Sequence, residues 1–320
     1  MDLPTTMRQY FQFADKYKNW GRWGQDDEVG TLNFVKPEHI VAAARLVRKG
    51  KVFSLAIPLD EKGPQVTRAG SRRFNPIHTM LKTGTDHGVP ESAEPPVVWG
   101  TDDMITMPLQ AATQWDGFGH IIFRGRMYNG RPGSMVTGQG ALKNGIEKLS
   151  ERVIGRGVLL DIPRHRGVPW VGQGDVIDAH ELDACAAKRG VKVGEGDFLL
   201  VRTGNIAMYR SRGGWGDFVT APRPGIGLSV IPWLYDKRVA SVACDNFGVE
   251  VDPGELTEMP KAAVHCIALA HMGMLFGEIF DLEKLADDCA QDGVCEFLFV
   301  APPMPVTGGV GSPVNPYAVK

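Results

Sequence analysis

Short apolar runs bounded by turn-forming residues recur through the second half of the chain. They are GVLLDIP (157–163), DFLLVRTG (197–204), VASVACD (239–245) and CEFLFVAP (295–302). Runs of this length, rich in Val, Leu and Phe and bounded by Gly, Pro or Asp, are typical of buried strands. We therefore predict a buried strand in each of them.

Four further segments carry helix start and stop signals. The first predicted helix is capped by Thr6 and runs to Tyr17, and the second begins at Pro37 and ends at Gly50. The third begins with an Asp178–Glu181 capping box and ends at Gly190, and the fourth follows Asp281. Capping oxygens satisfy the first backbone N–H groups of a helix, and Gly accepts the left-handed conformation at its end. Together with the strands, these helices predict a mixed α/β or α+β single domain over residues 1–320. Residues 1 to about 50 form a helical and loop arm in this prediction.

The longest apolar stretch is AAVHCIALAHMGMLFGEIF, residues 262–280. It is long enough to cross a membrane, but it contains His265, His271 and Glu278. An acid at the middle of a bilayer costs roughly 2.5–3.5 kcal/mol. The stretch is therefore predicted to be a buried segment of a soluble protein, not a transmembrane helix.

Composition and charge exclude several classes of partner. The chain is 43% hydrophobic and 22% charged, and its net charge of −2 is spread without long runs of one sign. Neither a nucleic acid nor an anionic membrane surface is expected as a partner. The five cysteines never form a CxxC pair, and the first residues contain no apolar signal segment. We therefore predict reduced thiols and a cytoplasmic protein.

Candidate chemistry is concentrated in LQAATQWDGFGH, residues 109–120. Asp116 and His120 supply a carboxylate and an imidazole that suit Mn²⁺, Zn²⁺ or Fe²⁺, and Gln110 and Gln114 could add neutral amide oxygens. The alternative is a buried turn, because Asp-Gly is a turn dipeptide and Gln and His often satisfy buried backbone groups. The spacing alone leaves both interpretations open.

The second candidate cluster lies in the apolar stretch. A buried, unpaired carboxylate is costly, so Glu278 is expected to have a cation, a metal or strong donors nearby, and His265 is the nearest candidate partner in sequence. The alternative is that both residues lie at the edges of the buried segment and reach water. His271 is interpreted as an ordinary core or surface histidine.

TQWDGFGH followed by GRMYNG resembles the signature region of the metal-dependent cyclase family, which includes bacterial kynurenine formamidase and isatin hydrolase. The family pattern is His-x-Gly-Thr-His-x-Asp-x-Pro-x-His. Thr113, Asp116 and His120 match this pattern, whereas Gln110, Ala112, Gln114 and Phe118 depart from it. Other segments resemble the Trp/Gln branch of the family in the same order: NWGRWGQDDEVGTLN, GVLLDIP, GDFLLVRTG, VHCIALAHMGMLFGEIFDL and TGGVGSPVNPYAV.

The resemblance implies an α/β fold of the swivelling β/β/α type found in kynurenine formamidase, assembled as a homodimer or homotetramer. It also implies one or two divalent metal ions. By position, Asp116 would be a metal ligand and His120 the acid–base residue, and His265 and Glu278 would match a later His and Glu ligand pair. Gln110 and Gln114 replace histidines, so they would be auxiliary ligands or carbonyl donors. This change leaves Mn²⁺ or Zn²⁺ as the expected ion, or a site that has lost its metal.

The sequence thus predicts a metal-dependent hydrolase of a small cyclic amide, imide, lactone or N-formyl amide. Metal-activated water would be the nucleophile and His120 the proton carrier. The alternative is a metal-free binding protein, or a lyase or isomerase with His120 as base. The candidate substrate-lining residues are His78, Trp20, Trp23, Trp115 and Phe118. The alternative for the four aromatic residues among them is packing in the core, and the alternative for His78 is a structural role.

Overall fold

The computed structural model describes residues 3–66, 71–86, 98–255 and 262–320. Its helices are α1 (Met7–Lys16), α2 (Pro37–Ala44), α3 (Ile162–Arg166), α4 (Ala179–Lys188), α5 (Asn205–Ser211), α6 (Val230–Lys237), α7 (Ala263–His265) and α8 (Glu283–Asp292). The short α7 continues directly into a π-helix, Cys266–Met272. No helix in these ranges is long and apolar enough to cross a membrane.

The strands form one large sheet and three small two-stranded sheets. They are β1 (Val52–Ser54), β2 (Ile77–Lys82), β3 (Asp102–Thr106), β4 (Gln114–Asp116), β5 (Val136–Thr137), β6 (Gly140–Ala141), β7 (Ile154–Asp161), β8 (Val176–Ile177), β9 (Phe198–Arg202), β10 (Gly225–Ile226), β11 (Ser241–Cys244), β12 (Leu275–Glu278), β13 (Glu296–Val300), β14 (Gly311–Pro313) and β15 (Tyr317–Val319). The large sheet has the order β1-β15-β13-β7-β9-β11-β12-β4-β14. Strands β7, β9, β11 and β12 run parallel to one another, and the flanking strands pair antiparallel.

The large sheet separates two hydrophobic cores. Along β9, Leu199 and Val201 belong to one core, and Phe198 and Leu200 belong to the other. Successive side chains of a strand point to opposite faces, so a strand covered on both sides must be apolar throughout. Full burial of a side chain of this size contributes about 1.5–3 kcal/mol. This double coverage explains why the central strands are continuous apolar runs.

The predicted strands are confirmed as β7, β9, β11 and β13, and three of the predicted helices are confirmed as α1, α4 and α8. The helix predicted over residues 37–50 was too long, because α2 ends at Ala44 and Arg45 is its C-cap. Residues 262–280 are buried as predicted, and they form α7, the π-helix and β12.

The N-terminal arm is attached to the π-helix by hydrogen bonds. The side-chain amide of Asn19 donates to the Met272 carbonyl at 2.9 Å, and the indole N–H of Trp20 donates to the Ala270 carbonyl at 2.8 Å. These donors satisfy carbonyl groups at the C-terminal end of a helix, which have no partner within the helix itself. The arm is therefore part of the support of the π-helix.

Substituting Gly30 by alanine is expected to destabilise the fold much more than the same change at Gly50. Both glycines have a left-handed φ, +63° and +66°, and this strain costs a side chain about 1–2 kcal/mol. A Cβ at Gly30 would also lie 2.0 Å from the Gly273 carbonyl oxygen, whereas none of the described atoms lies within 4 Å of one at Gly50. We expect a loss of about 3–5 kcal/mol for Gly30→Ala. Equal losses in the free energy of unfolding for Gly30→Ala and Gly50→Ala, measured by urea unfolding, would contradict this prediction.

Candidate metal centre

The candidate site forms where β4 lies between β12 and β14. In the antiparallel register, Asp116 is opposite Phe276 and Gln114 is opposite Glu278. Because side chains alternate along a strand, Gln114 and Asp116 point to the same face as Glu278, and Trp115 points to the other. The sheet therefore brings two acids and an amide together on one buried face.

His265 completes a three-residue cluster with Asp116 and Glu278. Its Nε2 lies 3.4 Å from Glu278 Oε1 and 3.9 Å from Asp116 Oδ2. One donor atom from each residue lies within 4.8 Å of the others, and all three residues are buried. Such a convergence of an imidazole and two carboxylates is the ligand geometry of a divalent metal site.

Glu250 orients the imidazole of His265. Its carboxylate accepts hydrogen bonds from the backbone N–H groups of Val264 and His265, at 2.9 and 3.1 Å, and it also contacts Nδ1 of the same histidine. This arrangement leaves Nε2 directed at Asp116 and Glu278. A carboxylate behind the imidazole is the usual support of a metal-binding histidine, because it fixes the tautomer and the ring orientation.

The two glutamines lie beside the acids. Gln114 Nε2 donates to Glu278 Oε2 at 3.0 Å and lies 3.5 Å from Asp116 Oδ1, while its buried Oε1 has no partner among the described residues. Gln110 lies over Gly311, the residue opposite Asp116 in β14, and its buried Nε2 likewise has no partner in the part of the chain that the structure describes. Both amides therefore have unused hydrogen-bonding capacity next to the cluster.

His120 lies at the open side of the cluster. Its Nε2 is 3.7 Å from Asp116 Oδ2, and its side chain is 22% exposed, compared with 1% for Asp116. The imidazole can therefore reach both solvent and the buried acids. This is the position that a residue exchanging protons with water requires.

The charges of the cluster shift the pKa values of its members. Burial raises the pKa of Asp116 to about 6, and the neighbouring charge of Glu278 acts in the same direction. Burial lowers the pKa of His265, but Glu250 and Glu278 outweigh this effect and raise it to about 10. Burial acts to raise the pKa of Glu278. The hydrogen bond with His265 acts in the opposite direction and outweighs burial, so the pKa of Glu278 is lowered. Without a metal, a proton on His265 therefore supplies the positive charge that these acids require.

The residues present fit a divalent metal ion. Asp116, His265 and Glu278 offer two carboxylates and one imidazole, and Glu250 supports the imidazole from behind. The unpartnered Oε1 of Gln114 supplies a further oxygen at the same place. An oxygen-rich donor set of this kind favours harder ions than a set of three histidines would.

Among the described contacts, the five predicted substrate-lining residues have neighbours other than this cluster. Trp115 and Phe118 are buried in the core on the opposite face of the sheet, where Trp115 donates to the Ala301 carbonyl at 2.8 Å. Trp23 packs on Phe34 at a ring distance of 5.1 Å. The remaining two lie elsewhere: His78 is exposed on β2 and pairs with Asp103, and Trp20 packs on His271.

Two residues near the site were not predicted from the sequence. Glu250 follows β11 as a single acid within the apolar segment FGVEV, and that isolated acid was the available signal. Arg73 is half-buried, and its positive charge lowers the pKa values of both Asp116 and Glu278. Its sequence context, SRRFNP, carries no comparable signal.

His271 lies outside the cluster, and its burial predicts a pH effect on stability. Burial lowers its pKa to about 4, below the 6.5 of an unfolded chain, so the unfolded state binds more protons between these values. The free energy of unfolding is therefore highest above pH 6.5, and it falls by about 2–3 kcal/mol as the pH falls towards 4. We expect His271→Phe to flatten the pH dependence of urea unfolding over this range. His180→Phe, at an exposed position, is the control, and an unchanged slope in His271→Phe would contradict the assignment.

Comparison with known proteins identifies the class of the protein. A family model described as "Putative cyclase" matches residues 53–251. A crystal structure described as a novel cyclase superposes with a TM-score of 0.87 at 42% identity, over 96% of this chain and 99% of that one. The chain therefore belongs to the cyclase family. A comparison with curated proteins gave no match.

More distant structures share the fold. An isatin hydrolase bound to the product analogue thioisatinate superposes with a TM-score of 0.62 at 16% identity, over 86% of this chain and 93% of that one. Isatin hydrolase A from Labrenzia aggregata, bound to benzyl benzoate, superposes with a TM-score of 0.61 at 17% identity, over 88% of this chain and 97% of that one. These matches confirm the swivelling α/β fold predicted from the sequence.

Proposed function

We propose that the protein is a metal-dependent hydrolase that opens a small cyclic amide, imide or lactone, or cleaves an N-formyl amide. The observation that carries the proposal is the buried cluster of Asp116, His265 and Glu278 with His120 at its open side. Membership of the cyclase family and the fold shared with isatin hydrolases support it.

Each member of the cluster has a distinct part in this proposal. A bound Mn²⁺ or Zn²⁺ ion would polarise the scissile carbonyl group and make water more acidic. Asp116, His265 and Glu278 would hold the ion, and Glu250 would keep His265 in the tautomer that presents a lone pair on Nε2. Gln114 would either keep its amide N–H on Glu278 or turn to direct Oε1 at the ion.

His120 would carry the proton. Its Nε2 faces Asp116 Oδ2, and its partial exposure allows it to exchange protons with solvent. An imidazole has one nitrogen that can accept a proton from water and return it to the leaving nitrogen or oxygen. Gln110, with its unpartnered Nε2, is suited to donate a hydrogen bond to the substrate carbonyl.

Several further predictions remain part of the proposal. His78 and Trp23 stay proposed as residues of the substrate entrance, although their contacts in the structure are with Asp103 and Phe34. Arg73 is added because its charge acts on the acids. The chain is expected to work on a small molecule as a homodimer or homotetramer in the cytoplasm.

The test combines metal analysis with turnover. The purified protein is analysed for metals before and after incubation with Mn²⁺ or Zn²⁺ and desalting, and is then assayed on a panel of cyclic amides, imides, lactones and N-formyl amides. We expect one or two ions per chain and metal-dependent release of carboxylate. In His120→Asn, the metal should remain while kcat falls about 10²–10⁴-fold. Turnover by a metal-free protein would overturn the proposal.

A metal-free protein of the same fold is the second candidate. The protonated His265 and the amide N–H of Gln114 can balance the acids without an ion. In that case His120 would act as the base of a lyase or isomerase, or the site would only bind a small molecule. Failure to retain any metal after reconstitution, together with ligand binding, would favour this candidate.

A further inference from the structure

A second cavity lies at the other end of the π-helix. Its volume is about 250 Å³, and it is lined by Asp15, Trp20, Phe123, Arg124, Arg126 and His271. None of these residues belongs to the cluster around Asp116. A water molecule occupies about 30 Å³ of liquid, and pockets for drug-sized molecules begin at about 300 Å³. The cavity therefore has the size of a site for a single-ring molecule.

His271 offers unused hydrogen-bonding groups in this cavity. Its side chain is 3% exposed, and Nδ1 has no hydrogen-bond partner in the described structure. Nε2 is 3.7 Å from Asp15 Oδ1, which is beyond hydrogen-bond distance. The imidazole contacts Trp20 and Phe123, each at a ring distance of 5.2 Å. The remaining polar contact of the ring is with the backbone of Cys266. A buried imidazole with so few polar contacts, set between two aromatic rings, has capacity for a further hydrogen bond with a ligand.

The rim of the cavity is positively charged. Arg124 lies 3.3 Å from Asp15 Oδ2 and stacks on Phe11 at 4.7 Å, and Arg126 donates only to the Gly130 carbonyl among the described residues. Lys18 also lies beside Asp15, at 3.4 Å, so two cations pair with this acid and Arg126 is a third cation on the lining of the cavity. An anion entering the cavity would meet guanidinium groups that present paired N–H donors.

We propose that this cavity is a second ligand site that takes a planar ring carrying one carboxylate. The ring would pack between Trp20 and Phe123, where offset and edge contacts between aromatic groups are favourable. The carboxylate would accept hydrogen bonds from Arg126 and from the N–H of His271. This inference does not rest on the proposed function.

The site is tested with benzoate as the anionic probe and benzamide as its neutral analogue, by calorimetric titration of the purified wild-type protein. We expect benzoate to bind with one molecule per chain and benzamide to bind at least tenfold more weakly. Arg126→Met should weaken benzoate binding about tenfold, the loss expected for one charge-assisted hydrogen bond. Arg45→Met, at an exposed position on another face, should leave it unchanged.

The same titration on Asp116→Asn separates this cavity from the metal centre. Benzoate binding should be preserved in Asp116→Asn if the ligand occupies the cavity over His271. Loss of binding in Asp116→Asn, equal binding of benzoate and benzamide, or an unchanged affinity in Arg126→Met would each overturn the proposal. Because the titration measures binding and not turnover, its result does not depend on whether the protein is a hydrolase.

Discussion

Asp116→Asn is expected to retain no stoichiometric metal and to lose at least about 10³-fold in kcat/KM, the largest effect of any single change at the site. The amide keeps the shape of the side chain but removes a charged ligand from a three-residue set. A catalytic metal contributes several kcal/mol to transition-state stabilisation, and each 1.36 kcal/mol corresponds to a factor of ten in rate. Metal content by elemental analysis and turnover on the best substrate of the panel provide the measurement.

The same substitution should not damage the metal-free fold. Burial raises the pKa of Asp116 to about 6, so the ionised carboxylate is unfavourable in the folded state above that pH. Asp116→Asn removes this charge, and we expect the metal-free variant to be as stable as the wild type or about 1–3 kcal/mol more stable at pH 7–8. Asp287→Asn, at a side chain that is 80% exposed, is the control. Retention of both metal and turnover in Asp116→Asn would refute the ligand assignment.

Glu250→Gln is expected to weaken metal binding about 10–100-fold, the usual cost of losing the group behind a histidine ligand. Val264 and His265 donate to different oxygens of Glu250, so glutamine can keep only one of these two backbone hydrogen bonds, at an expected cost of about 1–3 kcal/mol in stability. Glutamine also lacks the negative charge that makes the imidazole a stronger ligand. The measurement is a competition titration with a metal-binding dye, followed by turnover at low and at saturating metal.

Recovery at saturating metal distinguishes this effect from direct participation in the reaction. If Glu250 acts only through His265, turnover of Glu250→Gln should return close to the wild-type level once the ion is bound. Glu296→Gln, in a partly exposed pair with Arg156, is the control and should change neither the metal affinity nor the turnover. A wild-type metal affinity in Glu250→Gln would show that the contact with His265 has no role in holding the ion.

The central strands could be predicted from the sequence because both of their faces are covered, which leaves a continuous apolar run. The π-helix could not be predicted, since its seven residues are all buried and their pattern has no period that separates one helical geometry from another. The excess length predicted for α2 has a different cause. Gly50 is a strong stop signal, but α2 ends six residues before it.

At the site, the residue types were predictable and their directions were not. Asp116 and His120 were predicted from their chemistry, and the structure brings them together with His265 and Glu278. Trp115 was predicted beside them, but it lies between Gln114 and Asp116 in β4 and therefore points into the opposite core.

The position of β4 in the sheet has a consequence for the biosynthesis of the protein. Gln114 and its partner Glu278 are 164 positions apart, and the edge strand β14 is made later still. While the ribosome adds these residues, β4 has neither of its neighbours, and its backbone groups and Trp115 depend on solvent or chaperones for protection. A metal ion that meets the nascent chain finds only separate fragments of its site. If the proposed metal centre binds its ion, the complete set of ligands would be available only after Glu278 has been made.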